Sequence, residues 1–112
     1  MDVTSCEKHG LLVIQVSGEL DSTTAGDAEQ EITRRIAEGT SLVLDLTKCR
    51  YISSAGLRVL LMIGKQLKLH GGSWALAGLS PEIIDIMEMT GFSTYFTICS
   101  TVGEAADSLS QT

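Results

Sequence analysis

The sequence has 112 residues, and its 8 Lys and Arg against 14 Asp and Glu give a formal net charge of −6. Hydrophobic residues make up 44% and charged residues 20%, which predicts a single folded domain over residues 1–112 whose core needs neither disulfides nor metals. The acidic balance excludes a nucleic-acid-binding module, because such modules cluster Lys and Arg and the only adjacent pair here is Arg34-Arg35.

The sequence shows no membrane-spanning segment and no secretory signal. No uncharged stretch reaches the ~20 residues that cross a bilayer, and Met1-Asp2-Val3-Thr4 has no basic region before an apolar run. The spacing of Cys6, Cys49 and Cys99 fits neither a CxxC redox pair nor a zinc site. We therefore expect a cytoplasmic protein with no metal or cofactor of its own and no membrane partner.

The first predicted elements are the two strands of a hairpin. Residues 11–17 form a short run rich in branched side chains, which predicts a strand that Gly18 ends. Residues 3–7 alternate weakly between apolar and polar side chains, and His9-Gly10 suits a turn. We expect the first segment to be an antiparallel edge strand.

A helix and a buried strand follow the hairpin. Apolar side chains at helical spacing predict a helix from about Ser22 to Glu38, with Gly39 as its C-terminal stop. Residues 41–46 are apolar enough for a strand that is buried on both faces of a sheet. We expect residues 47–52 to form a loop.

A second helix is predicted to begin near Ser54 and to end at Gly71-Gly72. Its apolar side chains continue at helical spacing up to the two glycines, which favour a chain reversal. Residues 73–77 then predict a third core strand.

The next helix has the clearest local signals in the chain. Ser80 is a preferred N-cap residue, Pro81 suits the first helical position, and Gly91 is a helix stop. A last strand over residues 95–98 and a short helix over residues 102–109 complete the predicted elements.

The order of the elements is β-β-α-β-α-β-α-β-α, with strands and helices alternating after the hairpin. Such alternation implies right-handed crossovers between parallel strands. We therefore predict an α/β fold: one domain with a mostly parallel central sheet, one antiparallel edge strand and helices packed on the sheet.

Two turns lie where functional groups gather in open α/β sheets, at the carboxyl ends of strands. One is residues 18–22, and the other is residues 51–57, which place Ser53 and Ser54 at the start of a helix. A serine at this position can cap unpaired backbone N–H groups, and the small residues after it let the helix approach the sheet. Local chemistry favours this capping role over a phosphoacceptor.

A phosphoacceptor at Ser54 is the alternative. A phosphate at this position would meet exposed N–H groups and the positive end of the helix dipole, so the fold would tolerate it. It would add a charge of about −1.5 to −2 and would repel a partner docked over the helix end. These are the properties of a binding switch.

The helix after Ser54 has more apolar surface than a sheet-packing stripe requires. One stripe, formed by Leu57, Leu60, Leu61 and Gly64, is sufficient to pack the sheet. Three apolar side chains near Arg58 lie outside this stripe. We expect them to form either a partner surface or a face that a neighbouring helix covers. They are Val59, Met62 and Ile63.

From Val3 to about Leu109 the chain resembles the STAS domain of the anti-sigma factor antagonists of bacterial partner-switching systems. The resemblance lies in several short stretches in the right order and spacing. They are Gly18-Glu19-Leu20-Asp21, Leu44-Asp45-Leu46, Tyr51-Ile52-Ser53-Ser54-Ala55-Gly56-Leu57, Gly71-Gly72-Ser73, Leu79-Ser80-Pro81-Glu82 and Met89-Thr90-Gly91-Phe92.

The resemblance implies that Ser54 is the phosphoacceptor. In that family a serine-kinase anti-sigma factor phosphorylates this serine, a metal-dependent serine phosphatase restores it, and the unphosphorylated antagonist binds the anti-sigma factor and frees the sigma factor. Ala55 matches the small residue that follows, whereas Ser53 stands where many members carry Asp. Asp21 matches an acidic residue near the same surface, although an N-cap of the helix near Ser22 is an equal alternative.

We therefore predict a non-enzymatic, phosphorylation-controlled binding module. Its expected partner-binding residues are Asp21, Ser53, Ala55, Gly56, Arg58, Val59 and Met62. One alternative is a STAS subunit that is never phosphorylated, in a lipid-transport or sensory complex. A small hydrolase with Ser54 as nucleophile is a remote alternative because it lacks a base: His9 is expected in a turn and His70 at a helix end.

Overall fold

The computed structural model describes residues 1–8 and 10–110, with only the backbone of Ser110, and the predicted turn residue His9 lies outside the described residues. The strands are β1 (Asp2–Lys8), β2 (Leu11–Leu20), β3 (Ser41–Asp45), β4 (Cys49–Ile52), β5 (Ser73–Ala77) and β6 (Ile98–Cys99). The helices are α1 (Ala25–Thr33), α2 (Ser54–Leu69), α3 (Pro81–Thr90) and α4 (Val102–Ser110), with a 3₁₀ turn at Phe92–Tyr95.

The sheet has the predicted mixed α/β topology. Its strand order is β1-β2-β3-β5-β6, with β4 paired to β2 off this path. Only the β1–β2 pair is antiparallel among the described strands, and the other pairs are parallel. One register row joins Ile14, Leu44, Leu76 and Ile98 across four strands. The predicted fold class is confirmed.

The core lies on both faces of the sheet because successive strand residues point to opposite sides. Leu42 and Leu44 of β3 face the main core cluster, which α1, α2 and α3 cover. Val43 faces a second, smaller cluster, in which Ala105 and Leu109 of α4 pack. The prediction that this strand is buried on both faces is confirmed. Among the described residues, no helix combines the length and apolar character that a membrane span needs.

The prediction that Gly18 ends the second strand is wrong. β2 continues through Gly18 to Leu20 and pairs there with β4, in the segment that was expected to be a loop. Gly18 has a φ of +99°, and the register shifts between Gly18 and Glu19. A left-handed backbone conformation of this kind favours glycine, and here it accompanies the point where β2 leaves β3 and pairs with β4.

The first helix is shorter than predicted. It begins at Ala25 and ends at Thr33, not near residue 38. Beyond it the chain turns toward the end of α2, where the N–H of Gly39 donates a 2.8 Å hydrogen bond to the carbonyl of His70. This contact with a residue far along the chain replaces the last predicted helical turn.

The last strand is also shorter than predicted and begins later. Residues Phe92–Tyr95 form a 3₁₀ turn, and the strand occupies only Ile98–Cys99. Phe96 packs edge-to-face on Trp74, with ring centroids 5.7 Å apart. Phe96 is half-buried, and its contact with Trp74 is a tertiary interaction that the local strand propensity of the segment does not include.

Candidate functional site

The two predicted functional turns meet at one edge of the sheet. Leu20 and Ile52 are paired at the carboxyl ends of β2 and β4, and the N–H of Ser53 donates a 2.9 Å hydrogen bond to the carbonyl of Leu20. Because the strands are parallel, the chain leaves both of them on the same side of the sheet. The turn that begins at Asp21 and the start of α2 therefore form one surface.

Ser53 is the N-cap of α2. Its backbone is extended, with φ −86° and ψ 177°, and its hydroxyl oxygen accepts a 3.4 Å hydrogen bond from the N–H of Gly56. Its carbonyl accepts the first intrahelical bond, from Leu57, at 2.9 Å. The predicted capping role is confirmed for Ser53.

Ser54 differs from its neighbour in both exposure and bonding. It is the first residue of α2 and is exposed, and its hydroxyl makes no hydrogen bond to any residue that the structure describes. The first turn of this 16-residue helix contains no acidic side chain to offset the positive end of the helix dipole. An anion on the Ser54 oxygen would be stabilised at this position.

Asp21 has a structural role in the turn before α1, although the N-cap of that helix is Thr24 and not Asp21 as the capping alternative predicted. Its Oδ1 accepts hydrogen bonds from the N–H of Thr23 at 2.9 Å, from the hydroxyl of Thr23 at 2.7 Å and from the N–H of Thr24 at 3.2 Å. These bonds, led by the Thr23 hydroxyl, hold the pKa of the Asp21 carboxyl below its ordinary value. Oδ2 accepts no bond from the described residues and leaves one carboxylate oxygen free at this edge.

Gly56 is buried rather than part of an exposed partner surface. A Cβ at this position would lie 2.6 Å from the carbonyl oxygen of Leu20 and 2.9 Å from Cγ2 of Ile52. The absence of a side chain lets α2 approach β2 and β4. This is the close packing that local chemistry predicted for the small residues at the start of the helix. Ala55 is half-buried and packs against the main core cluster.

The outer face of α2 differs from the prediction at two residues. Val59 is only 4% exposed and Ile63 is fully buried, so the covered-face alternative holds for both, and the expectation that Val59 is a partner-binding residue is wrong. α1 packs against α2, and both side chains share one core cluster with Ala28 of α1. A neighbouring helix covers this stripe, whereas Arg58 and Met62 are exposed as expected.

Tyr51 is an exposed aromatic residue at this edge that was not among the expected partner-binding residues. Its side chain is 50% exposed, and its backbone pairs with that of Glu19 one position before the Leu20–Ile52 pair. The segment lacks a local strand signal, and its pairing partner lies more than 30 residues earlier in the chain. The predicted turn over residues 51–57 includes Tyr51, but nothing near it in the sequence indicates that it pairs with Glu19.

Comparison with known proteins shows a match along almost the whole chain. The family model for the STAS domain matches residues 3–105. BtrV of Bordetella bronchiseptica, a protein named as an anti-sigma factor antagonist, is 35% identical over 107 residues, which cover 95% of this chain and 92% of that protein. The anti-sigma-B factor antagonist of Listeria monocytogenes is 34% identical over 92 residues, 81% of each chain.

A solved structure shows the same architecture. The crystal structure of an anti-sigma factor antagonist from Mycobacterium paratuberculosis superimposes with a TM-score of 0.86 at 27% identity, covering 96% of this chain and 92% of that one. The strand order and helix placement described above are therefore shared with that protein.

Proposed function

The chain belongs to the STAS domain family, and from this premise we propose that it is an anti-sigma factor antagonist controlled by phosphorylation of Ser54. In the unphosphorylated state it binds a serine-kinase anti-sigma factor and so releases the sigma factor. The names of the Bordetella and Listeria relatives support this function. The observation that carries the proposal is the exposed Ser54 hydroxyl, free of hydrogen bonds to the described residues at the start of α2.

The difference between the two adjacent serines supports modification of Ser54 rather than Ser53. The Ser53 hydroxyl accepts a bond from Gly56, and its backbone N–H is held by Leu20. Phosphorylation of Ser53 would disturb the cap, whereas the Ser54 hydroxyl is available without any change in the helix. The kinase transfers the γ-phosphoryl group of ATP to Ser54 Oγ, and the hydroxyl proton passes to a base of the kinase.

A phosphate on Ser54 changes the charge of the surface but not the fold. It adds a charge of about −1.5 to −2 at an edge that already contains the ionised Asp21 carboxylate. A partner that docks across Asp21, Ser53, Ala55 and the outer residues Arg58 and Met62 of α2 is then repelled. A metal-dependent serine phosphatase restores the hydroxyl by adding water and releasing inorganic phosphate. Both enzymes and ATP act in the cytoplasm in this scheme.

The geometry does not favour a hydrolase with Ser54 as nucleophile. His70 caps the other end of the 16-residue helix α2, about 24 Å away at the rise of an α-helix. Its Nδ1 lies 2.6 Å from Oε1 of Glu38. His70 is therefore too far away to take a proton from Ser54, and the other histidine, His9, lies outside the described residues. We infer that the chain acts as a binding module.

The test is phosphorylation by the cognate kinase. Incubation with the anti-sigma factor kinase and Mg-ATP should add one phosphate that maps to Ser54 by peptide mass spectrometry. Ser54→Ala should abolish the modification and Ser53→Ala should retain it. A phosphate on Ser53, or none at all, would contradict the proposal. So would a Ser54→Asp variant that binds the kinase as tightly as the unmodified protein.

A further inference from the structure

A groove runs along the exposed side of α2, away from the Ser54 end of the site. It lies between α2 and the segment that follows α3, and its volume is about 920 Å³. This is within the range of about 300–1,000 Å³ that small-molecule sites occupy. Its walls are formed by Leu61 and Met62 of α2 on one side and by Phe92 and Tyr95 on the other.

The floor of the groove is aromatic. Trp74, the single tryptophan of the sequence, lies under Gly64 of α2, where a Cβ would be only 3.1 Å from Cζ2 of the indole. Phe96 packs edge-to-face against the same ring. Four of the five aromatic residues of the chain line this groove, and Tyr51 is the fifth.

The charged side chains of the groove are all positive. Arg58, Lys65 and Lys68 line it from α2, and none of the described lining residues is Asp or Glu. These three cations are exposed and form no ion pair with any other described residue. In a chain of net charge −6, three of the eight cations thus share one apolar groove and attract an anion to it.

Uncharged hydrogen-bonding side chains are scarce in the groove, which restricts the ligand. The lining contains the hydroxyls of Thr90 and Tyr95 and the indole N–H of Trp74, and the Thr90 hydroxyl already donates a 2.7 Å bond to the carbonyl of Ile86. A nucleotide needs many partners for its sugar and base, whereas an acyl chain needs none. We propose that this groove binds a fatty acid, with its acyl chain against Trp74 and Phe96 and its carboxylate at the cations of α2.

Binding of the acyl ligand does not depend on phosphorylation, although Arg58 and Met62 also belong to the proposed partner surface. The full chain is titrated with dodecanoate below its micelle concentration, and the fluorescence of Trp74 reports occupancy because no other tryptophan contributes. Dodecanol and dodecyltrimethylammonium, which have the same chain length, serve as neutral and cationic comparators. We expect saturable binding in which dodecanoate has the lowest Kd.

Charge variants test the role of the cations. The double variant Lys65→Gln/Lys68→Gln should raise the Kd for dodecanoate about threefold to tenfold, the effect of two partly exposed ion pairs. The matched control Lys8→Gln/Lys48→Gln removes the same charge from exposed positions outside the groove and should leave the Kd unchanged. Ser54→Ala should also leave it unchanged, so that a failure of the phosphorylation switch is distinguished from a failure of this site.

Several results would overturn the fatty-acid site. They are the absence of a saturable fluorescence change with dodecanoate, equal affinity for the three amphiphiles, and an equal loss of affinity in the control variant. Competition by ATP at a lower concentration than dodecanoate would assign the groove to a nucleotide instead. Competition by an acidic peptide of the anti-sigma factor would assign it to a protein partner.

Discussion

The backbone N–H of Ser53 donates a 2.9 Å hydrogen bond to the carbonyl of Leu20, and this bond joins the end of β2 to the start of α2. It extends the parallel pairing of β2 with β4 by one residue beyond Ile52. Through it the turn at Asp21 and the exposed Ser54 share one surface, although they are more than 30 residues apart in the sequence. The same contact accounts for the requirement for glycine at position 56.

Gly56→Ala should destabilise the protein by about 1–3 kcal/mol, the usual cost of overpacking a tight site. The added Cβ would lie 2.6 Å from the Leu20 carbonyl oxygen, so the start of α2 must move away from the sheet. Urea unfolding followed by circular dichroism measures the change. The control Gly26→Ala has open space in α1 and should gain about 0.5–1 kcal/mol. Equal urea midpoints for Gly56→Ala and Gly26→Ala would contradict the close approach of α2 to the sheet.

Ser53→Ala should lower the free energy of unfolding by about 0.5–1 kcal/mol through loss of the N-cap. Ser54→Ala should change it by less than about 0.5 kcal/mol, because the Ser54 hydroxyl is exposed and has no partner among the described residues. Ser80→Ala is a matched control, since the Ser80 hydroxyl caps α3 with a 3.3 Å bond from Ile83. A larger loss of unfolding free energy in Ser54→Ala than in Ser53→Ala would show that Ser54, and not Ser53, caps the helix.

Truncation of Met62 should weaken partner binding without a change in stability, whereas truncation of Val59 should lower stability. Met62→Ser removes a 46% exposed side chain and should leave stability unchanged while weakening binding to the anti-sigma factor about fivefold or more. Val59→Ala should cost about 2 kcal/mol of stability, because two buried methyl groups are lost. Calorimetric titration and urea unfolding separate the two effects. A binding defect in folded Val59→Ala with none in Met62→Ser would contradict the assignment of the exposed face.

The stability that Asp21 contributes should depend on pH in the acid range. Hydrogen bonds from Thr23 and Thr24 lower the pKa of this carboxyl in the folded state. The unfolded state therefore binds more protons, and the contribution is present above the ordinary pKa of about 4 and lost as pH falls through the folded pKa. The difference in unfolding free energy between the native protein and Asp21→Asn should shrink on acidification. A difference independent of pH would contradict the carboxylate's role.

Cys6 and Cys49 should differ in their reactivity toward iodoacetamide. Burial raises the pKa of the Cys49 thiol, which is 3% exposed, whereas Cys6 lies exposed on β1. Because the thiolate is the nucleophile, Cys6 should be alkylated at least about tenfold faster at neutral pH. Peptide mass spectrometry measures both rates, and the denatured chain, in which both cysteines are accessible, is the control. Equal rates in the folded protein would show that Cys49 is accessible.

Elements with strong local signals were the ones that the sequence predicted well. For α3, Ser80 caps the helix, Pro81 opens it and Gly91 ends it with a φ of +79°, each as expected. The cap hydrogen bond and the left-handed stop involve residues a few positions apart. Such signals depend little on the rest of the fold.

Elements that depend on distant partners were predicted poorly. β4 is a four-residue strand whose outer residues Cys49 and Ile52 are buried and whose inner residues are exposed, so it has neither a strand alternation nor a helical period. It exists because β2 continues past Gly18 and offers free backbone groups there. The pairing of Tyr51 was missed together with this strand. The first helix was predicted too long because the Gly39–His70 bond beyond its end also joins residues far apart in the sequence.

The sequence by itself determined the α/β class and the approximate positions of most helices and strands. These features follow from hydrophobic periodicity and capping chemistry within short segments. Only the tertiary structure decided that Val59 and Gly56 are buried, that Met62 remains exposed, and that Trp74 forms the floor of a cationic groove. Burial depends on which elements pack together, and that is set by contacts between residues far apart in the chain.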